Sequence, residues 1–133
     1  EGLYEAVMFD EYLQFKRPFE MPATGDTVAV VTAKGNILPG DQPPGEIGGD
    51  SLSALIRETA LQPGVQAIVL RIDSGGGSVF ASEVIRQSVL DAKSQGLPVV
   101  VSMGSVAASG GYYIAADADQ IWATPTTITK MRK

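Results

Sequence analysis

The sequence predicts an α/β domain built from βαβ repeats on a parallel sheet. Short segments that are apolar on both faces recur along the chain, as suits strands buried on both sides. Stretches with apolar residues at helical spacing separate them, and Gly- and Pro-rich segments join the two kinds of element. The length of 133 residues fits about one domain. With 44% hydrophobic and 19% charged residues, the composition is globular and excludes a largely disordered acidic chain.

In order, residues 1–24 combine mixed charge, aromatics, Pro18 and Pro22, and read as a lead-in rather than core. Thr27–Ala33 (TVAVVTA) is β-branched and apolar, a buried strand. Residues 34–49 carry five glycines and three prolines, a loop long enough to be functional or mobile. Asp50 or Ser51 can cap a helix whose apolar face holds Leu52, Leu55, Ile56 and Thr59, and Pro63-Gly64 ends it. Val65–Ile72 is the second strand, followed by the turn Asp73-Ser74-Gly75-Gly76-Gly77-Ser78. A helix over 79–95 follows, with Val84, Ile85, Val89 and Ala92 inside and Gly96 as its stop. Val99–Met103 is the third strand, 104–108 a turn of small residues, Ser109 the start of another helix, and Gln120–Thr124 a fourth strand.

Charge and missing residue types exclude several functions. The 10 Lys+Arg stand against 15 Asp+Glu with no basic run, so no nucleic-acid partner is expected. The chain has no Cys, which removes disulfides and thiolate chemistry, and no His, which removes a complete Ser-His-Asp triad and an HExxH zinc site. No metal and no cofactor is expected. The longest apolar runs, such as Leu97-Pro98-Val99-Val100-Val101, fall far short of the roughly 18 residues of a membrane span. The acidic start, Glu1-Gly2-Leu3-Tyr4-Glu5, shows no signal peptide, and the absence of an initial Met suggests a fragment or processed piece.

Ligands of open parallel sheets sit beyond the carboxyl ends of the strands. The two unusual segments, 73–78 and 104–111, fall there after successive strands. Glycines between strand and helix leave backbone N–H groups uncovered, and such groups attract an oxyanion or a phosphate. GxxxxGK[ST] is absent, and GxGxxG fails because residue 80 is Phe. A tight turn with no ligand satisfies the same residues. Ser109, flanked by Ala107, Ala108, Gly110 and Gly111, has an uncrowded hydroxyl beside the Gly110 N–H. That is the logic of a nucleophile next to its oxyanion donor, although GxSxG is missing; Ser109 as a helix cap is the other reading.

The segment Arg71-Ile72-Asp73-Ser74-Gly75-Gly76-Gly77-Ser78-Val79 resembles the R-[VI]-[ND]-S-P-G-G-S turn of the signal peptide peptidase A (protease IV) family. Met103–Ile114 (MGSVAASGGYYI) resembles its nucleophile segment, and Ala81–Arg86 and Gly48-Gly49-Asp50 also fit. The likeness covers about residues 25–129, and Phe9–Tyr12 with Thr24-Gly25-Asp26 resembles the linker into the C-terminal half of the long, two-domain form. The resemblance implies a Clp/crotonase-like fold, incomplete in this piece, and a serine peptidase with a Ser–Lys dyad. It implies Ser109 as nucleophile and the Gly77 and Gly110 N–H groups as oxyanion hole. It implies apolar peptide substrates such as signal-peptide remnants, and a bacterial envelope site at the inner membrane with the catalytic domain outside the cytoplasm.

Three departures stand out. Gly75 replaces the usual Pro. The chain ends in a basic tail, residues 130–133, where the family continues with a Gly-Ser-Ile-Gly-like strand. The family lysine has no matching position, so the base is expected outside this chain, from a homo-oligomeric partner or a complementing lysine-bearing domain. Lys16, Lys34, Lys93, Lys130 and Lys133 are not assigned that role; Lys34, at the end of the first strand, is the first to test. A crotonase-like acyl-CoA enzyme, with Asp73 as its carboxylate, and a non-catalytic assembly module are the alternatives.

Overall fold

The computed structural model describes residues 25–130; the lead-in 1–24 and residues 131–133 lie outside it. In chain order the elements are β1 (Thr27–Lys34), β2 (Ile37–Leu38), β3 (Ile47–Gly48), α1 (Gly49–Ala60), β4 (Val65–Ser74), α2 (Val79–Ser94), β5 (Val99–Ala107), α3 (Gly110–Tyr113) and β6 (Gln120–Trp122). β1, β4, β5 and β6 lie side by side in that order, all parallel, and β2 pairs with β3 in a small second sheet.

β-branched residues dominate the sheet interior. Ile68, Leu70 and Ile72 of β4 stand opposite Val99, Val101 and Met103 of β5 in the parallel register. Their side chains, with Val31 and Ala33 of β1, are buried beneath α1 and α2. Full burial of each large aliphatic side chain is worth about 1.5–3 kcal/mol. The alternate residues face the other way. Val28 and Val30 are 59% and 66% exposed, so among the described residues the helices cover one face of the sheet. The strand and helix alternation and the parallel pairing agree with the α/β fold expected from sequence, but β1 is exposed on one face rather than buried on both.

The structure corrects four details. β5 does not end at Met103; it runs to Ala107, and 104–106 are not a turn. The physical reason is that this backbone finds partners while extended. The Val106 N–H donates to Asp73 Oδ1 (3.1 Å), the Ser105 carbonyl accepts the Ile128 N–H (2.9 Å), and the Gly104 carbonyl accepts the Thr127 hydroxyl (2.9 Å). Gly104 packs closely there: a methyl group on it would stand 3.0 Å from Asp73 Cβ.

Neither Asp50 nor Ser51 caps α1. The helix begins at Gly49 after an extended Gly48, with no side-chain cap. Asp50 sits in the first turn, where the helix dipole favours a carboxylate. The Ser51 hydroxyl instead accepts the Gln42 N–H (3.4 Å). Leu55 is exposed, its place on the inner face taken by Ser53, whose hydroxyl donates to the Gly49 carbonyl (2.5 Å). On α2 the inner stripe is Ala81, Ser82, Ile85, Ser88, Val89 and Ala92, while Val84 is half-buried.

Candidate active site

Ser109 lies between the end of β5 and the single turn of α3, with φ 50° and ψ −119°. Among the described residues it is the one non-glycine with positive φ. Such a conformation costs on the order of 1–3 kcal/mol and persists only where its surroundings impose it. Here they do. The Ser109 N–H donates to the Lys130 carbonyl (2.8 Å), and the Ser109 carbonyl accepts the N–H groups of Tyr112 (3.1 Å) and Tyr113 (2.9 Å). The hydroxyl makes no capping bond, which sets aside the reading of Ser109 as a side-chain cap. The residue is exposed, and its Oγ has no hydrogen-bond partner among the described residues.

The glycine turn reaches the same place from β4. A methyl group on Gly76 would lie 2.6 Å from the Gly110 nitrogen and 2.9 Å from Ser109 Cβ. One on Gly110 would lie 3.3 Å from the Gly77 nitrogen. The structure thus brings Gly77, Ser109 and Gly110 together, although 31 residues lie between Gly77 and Ser109 in the sequence.

Ladder geometry explains the Gly77 orientation. Ile37 donates to the Gly76 carbonyl (3.0 Å) and accepts from the Ser78 N–H (2.8 Å), a parallel bridge centred on Gly77. In such a bridge the central residue's own N–H points away from the partner strand. Among the described residues neither the Gly77 nor the Gly110 N–H has an acceptor. No side chain fits at Gly77, because a Cβ would collide with the Ile37 carbonyl.

Sequence reasoning missed the residue that ties these segments together. Ser74 is buried, donates its hydroxyl to the Gly35 carbonyl (2.6 Å) and accepts the Gly76 N–H (3.1 Å). Its carbonyl accepts the Ala108 N–H (3.0 Å). One serine therefore links the end of β1, the glycine turn and the approach to Ser109. Nothing local signals this, since two of its three partners are distant in sequence.

A second feature missed from sequence is a polar cluster joining α2 to α3. Glu83 accepts two bonds from Arg86, at Oε2 from Nε and at Oε1 from Nη2, both 2.8 Å. It also accepts the Tyr113 hydroxyl (2.7 Å) and the Gln87 amide (2.7 Å). Arg86 binds Asp117 as well and lies 5.6 Å from the Tyr113 ring centroid, a cation–π distance. Arg86, Gln87 and Tyr113 together hold the Glu83 carboxyl well below the usual carboxylate range. The same carboxylate raises the Tyr113 hydroxyl and, with Asp117, raises the Arg86 guanidinium. The Glu83–Arg86 spacing of three was legible as a helical ion pair; its reach to Tyr113 was not.

The lysines of the described residues are accounted for. Lys93 binds the Asp117 carbonyl (2.6 Å) and Asp119 (3.1 Å). Lys34 lines an open cleft of about 360 Å³ with Asn36, Asp73, Ser74 and Val106, and neither Ser109 nor Gly110 borders it. Lys130 is exposed, and its carbonyl is the group that meets Ser109. No group of acidic residues among the described ones is arranged to hold a metal ion.

Residues 91–131 match the model of Peptidase family S49. Across 97% of the chain, 49% of residues are identical to Protease 4 of Salmonella typhi. The chain belongs to peptidase family S49. Protease 4 of Haemophilus influenzae is 41% identical, also over 97% of the chain, and the chloroplastic serine protease SPPA of Arabidopsis thaliana is 38% identical over 78% of the chain. This S49 chain spans about one fifth of the length of the Protease 4 relatives, 20% and 21%.

Among solved structures, a mutant of the 1510-N membrane-bound stomatin-specific protease superposes with a TM-score of 0.60 and 25% identity, over 79% of this chain and 47% of that one. An enoyl-CoA hydratase from Mycobacterium smegmatis superposes with a TM-score of 0.52 over 78% of this chain and 46% of that one. At 21% identity the hydratase speaks for the fold alone, which is the Clp/crotonase-like one the sequence resembles. Among the described residues no helix is long and apolar enough to cross a membrane.

Proposed function

We propose that this chain carries the nucleophile and oxyanion hole of a serine endopeptidase whose base is a lysine elsewhere in the longer protein. The observation that carries the reading is Ser109 itself: a strained serine with an unengaged hydroxyl, immediately before Gly110 and packed against the Gly77 turn. Strain is stored where the structure over-determines a functional conformation.

In the proposed reaction Ser109 Oγ attacks the scissile carbonyl carbon while the neutral lysine amine takes its proton. The carbonyl oxygen becomes an oxyanion facing the Gly77 and Gly110 N–H groups. Collapse expels the amine fragment, which takes the proton back from the lysine. Water then hydrolyses the acyl-Ser109 ester, again with the lysine as base. A lysine base agrees with a chain that contains no histidine. Solved relatives give the pairing further support: one of the 1510-N protease structures is a serine-to-alanine mutant, and another is a lysine-to-alanine mutant in complex with a substrate peptide.

The substrates are apolar peptides such as signal-peptide remnants, and the setting is the bacterial envelope, with catalysis outside the cytoplasm at the inner membrane. Val79 and Phe80, 82% and 72% exposed directly after the Gly77 turn, give an extended apolar peptide a surface beside the reacting atoms. The lysine comes from another part of the same chain or from a second copy in a homo-oligomer. Asp73, the carboxylate of the acyl-CoA alternative, lines the Lys34 cleft, which neither Ser109 nor Gly110 borders.

The test is made on the complete protein. Hydrolysis of an apolar peptide and labelling by a fluorophosphonate are both expected in the wild type and lost in Ser109→Ala. Hydrolysis that survives Ser109→Ala rejects the assignment.

A further inference from the structure

The two candidate oxyanion donors belong to different helices. Gly77 precedes Ser78, the N-cap of α2, and Gly110 opens α3. An oxyanion hole works only when both donors stand about 3 Å from one oxygen, so the placement of one helix against the other becomes a catalytic dimension. α2 is capped and cross-linked at this end. The Ser78 hydroxyl accepts the Ala81 N–H (3.2 Å), and the Ser82 hydroxyl donates to the Ser78 carbonyl (2.8 Å). α3 is only four residues long and cannot hold its own direction.

Beside the packing of Gly111 on Ser74, two hydrogen bonds anchor the ends of α3. At its start the Ser109 N–H binds the Lys130 carbonyl, and at its last residue the Tyr113 hydroxyl binds Glu83 on α2 (2.7 Å). The Tyr113 N–H also binds the Ser109 carbonyl (2.9 Å), so a movement of Tyr113 turns the peptide plane that carries the Gly110 N–H. Glu83 is in turn immobilised by the two-pronged grip of Arg86, whose side chain is 21% exposed and also binds Asp117.

We propose that Glu83, clamped by Arg86 and accepting the Tyr113 hydroxyl, is a positioning residue that sets the spacing between the Gly77 and Gly110 N–H groups. The inference rests on the reading of those groups as oxyanion donors. It assigns the α2–α3 cluster a role in the reaction beyond holding two helices together.

The experiment uses the complete protein and the variants Glu83→Gln, Tyr113→Phe and their double. Each is assayed for kcat and KM on an apolar peptide and for melting temperature. Each is also assayed for binding of the matching peptide aldehyde and peptide alcohol. Ser109 adds to the aldehyde carbon, and the former carbonyl oxygen occupies the hole; the alcohol makes the other contacts without that addition. Loss of a whole oxyanion donor costs about 10²–10³ in kcat, so a displaced one is expected to lower kcat and aldehyde affinity about tenfold or more. KM and alcohol affinity stay within about twofold, and the double variant is no worse than the worse single one, because both break the same strut.

Unchanged kcat and aldehyde affinity in both single variants overturn the proposal. So does a loss that runs in step with KM, alcohol affinity and melting temperature, which is what general loosening produces. Ser109→Ala in the same protein separates the two levels. If it retains hydrolysis, the active-site reading itself fails. If it is inactive while both strut variants match the wild type, the reading stands and the strut alone is rejected.

Discussion

The Ser109 N–H donates to the Lys130 carbonyl at 2.8 Å. Ser109 therefore has no free backbone donor, and under the proposed reaction the stabilisation of negative charge falls to Gly110 and Gly77. The same contact makes residues 128–130 part of the site's frame. Ile128 donates to the Ser105 carbonyl (2.9 Å) and accepts from the Ala107 N–H (2.9 Å), so this segment runs as a short strand along the end of β5.

Ile128→Pro removes one rung of that ladder, since proline has no N–H. A loss of about 1–3 kcal/mol in stability is expected from the orphaned Ser105 carbonyl and the altered backbone. Fluorophosphonate labelling of Ser109 in the complete protein should slow as well. Labelling at the wild-type rate would show that the 128–130 segment does not support the proposed nucleophile.

The strain at Ser109 predicts an ordering in stability of two variants that lose the hydroxyl. Both Ser109→Gly and Ser109→Ala lose the hydroxyl, but only glycine escapes the Cβ penalty at φ 50°. Ser109→Gly is expected to be more stable than Ser109→Ala by about 1 kcal/mol, a fraction of the cost of such a conformation. Chemical denaturation of the two proteins checks this, and an alanine variant at least as stable as the glycine one contradicts it.

Two glycines of the site segments should respond oppositely to alanine. A methyl group on Gly111 would stand 2.6 Å from the Ser74 carbonyl oxygen, whereas one on Gly75 would meet nothing within 4 Å. Gly111→Ala is expected to destabilise by about 1–3 kcal/mol through overpacking. Gly75→Ala is expected to be neutral or slightly stabilising, by at most about 1 kcal/mol. Equal melting temperatures for the two variants would show that the Ser74 contact yields at little cost.

Asp119 gives a pH dependence. Its carboxylate accepts the Val99 N–H (2.8 Å) and pairs with Lys93 (3.1 Å), and these, the backbone bond first, hold its pKa below the ordinary 3.8. A depressed folded pKa means that the unfolded chain binds the proton more readily. The contribution is therefore present above pH 3.8 and is lost as pH falls through the folded value. Asp119→Asn should be less stable than wild type at neutral pH, with the gap closing as the solution is acidified below pH 3.8. A gap that stays constant with pH would assign the effect to packing rather than charge.

The architecture was legible because it is written in local patterns. β-branched runs such as Val99-Val100-Val101 and the helical spacing of Ile85, Val89 and Ala92 need only their neighbours to be read. The two site segments were legible for a related reason: each lies at the carboxyl end of a strand of a parallel sheet, so both reach the same rim. What stayed hidden depends on partners far along the chain. β5 runs to Ala107 because Asp73, Thr127 and Ile128 satisfy its backbone, and Ser53 displaces Leu55 from the inner face because its hydroxyl can return to Gly49. Ser74 shows the limit most clearly. In the sequence it is one serine before three glycines; in the fold its hydroxyl bridges Gly35 and Gly76.

The pair of unengaged N–H groups at Gly77 and Gly110 carries a cost for turnover. Donors set for negative charge do not distinguish a fleeting oxyanion from the permanent carboxylate that peptide hydrolysis leaves behind. Under the proposed reaction, the acyl-side fragment departs from the place that suits its new charge. Under that reaction, release of a charged fragment is expected to slow turnover beside the exposed, apolar Val79 and Phe80.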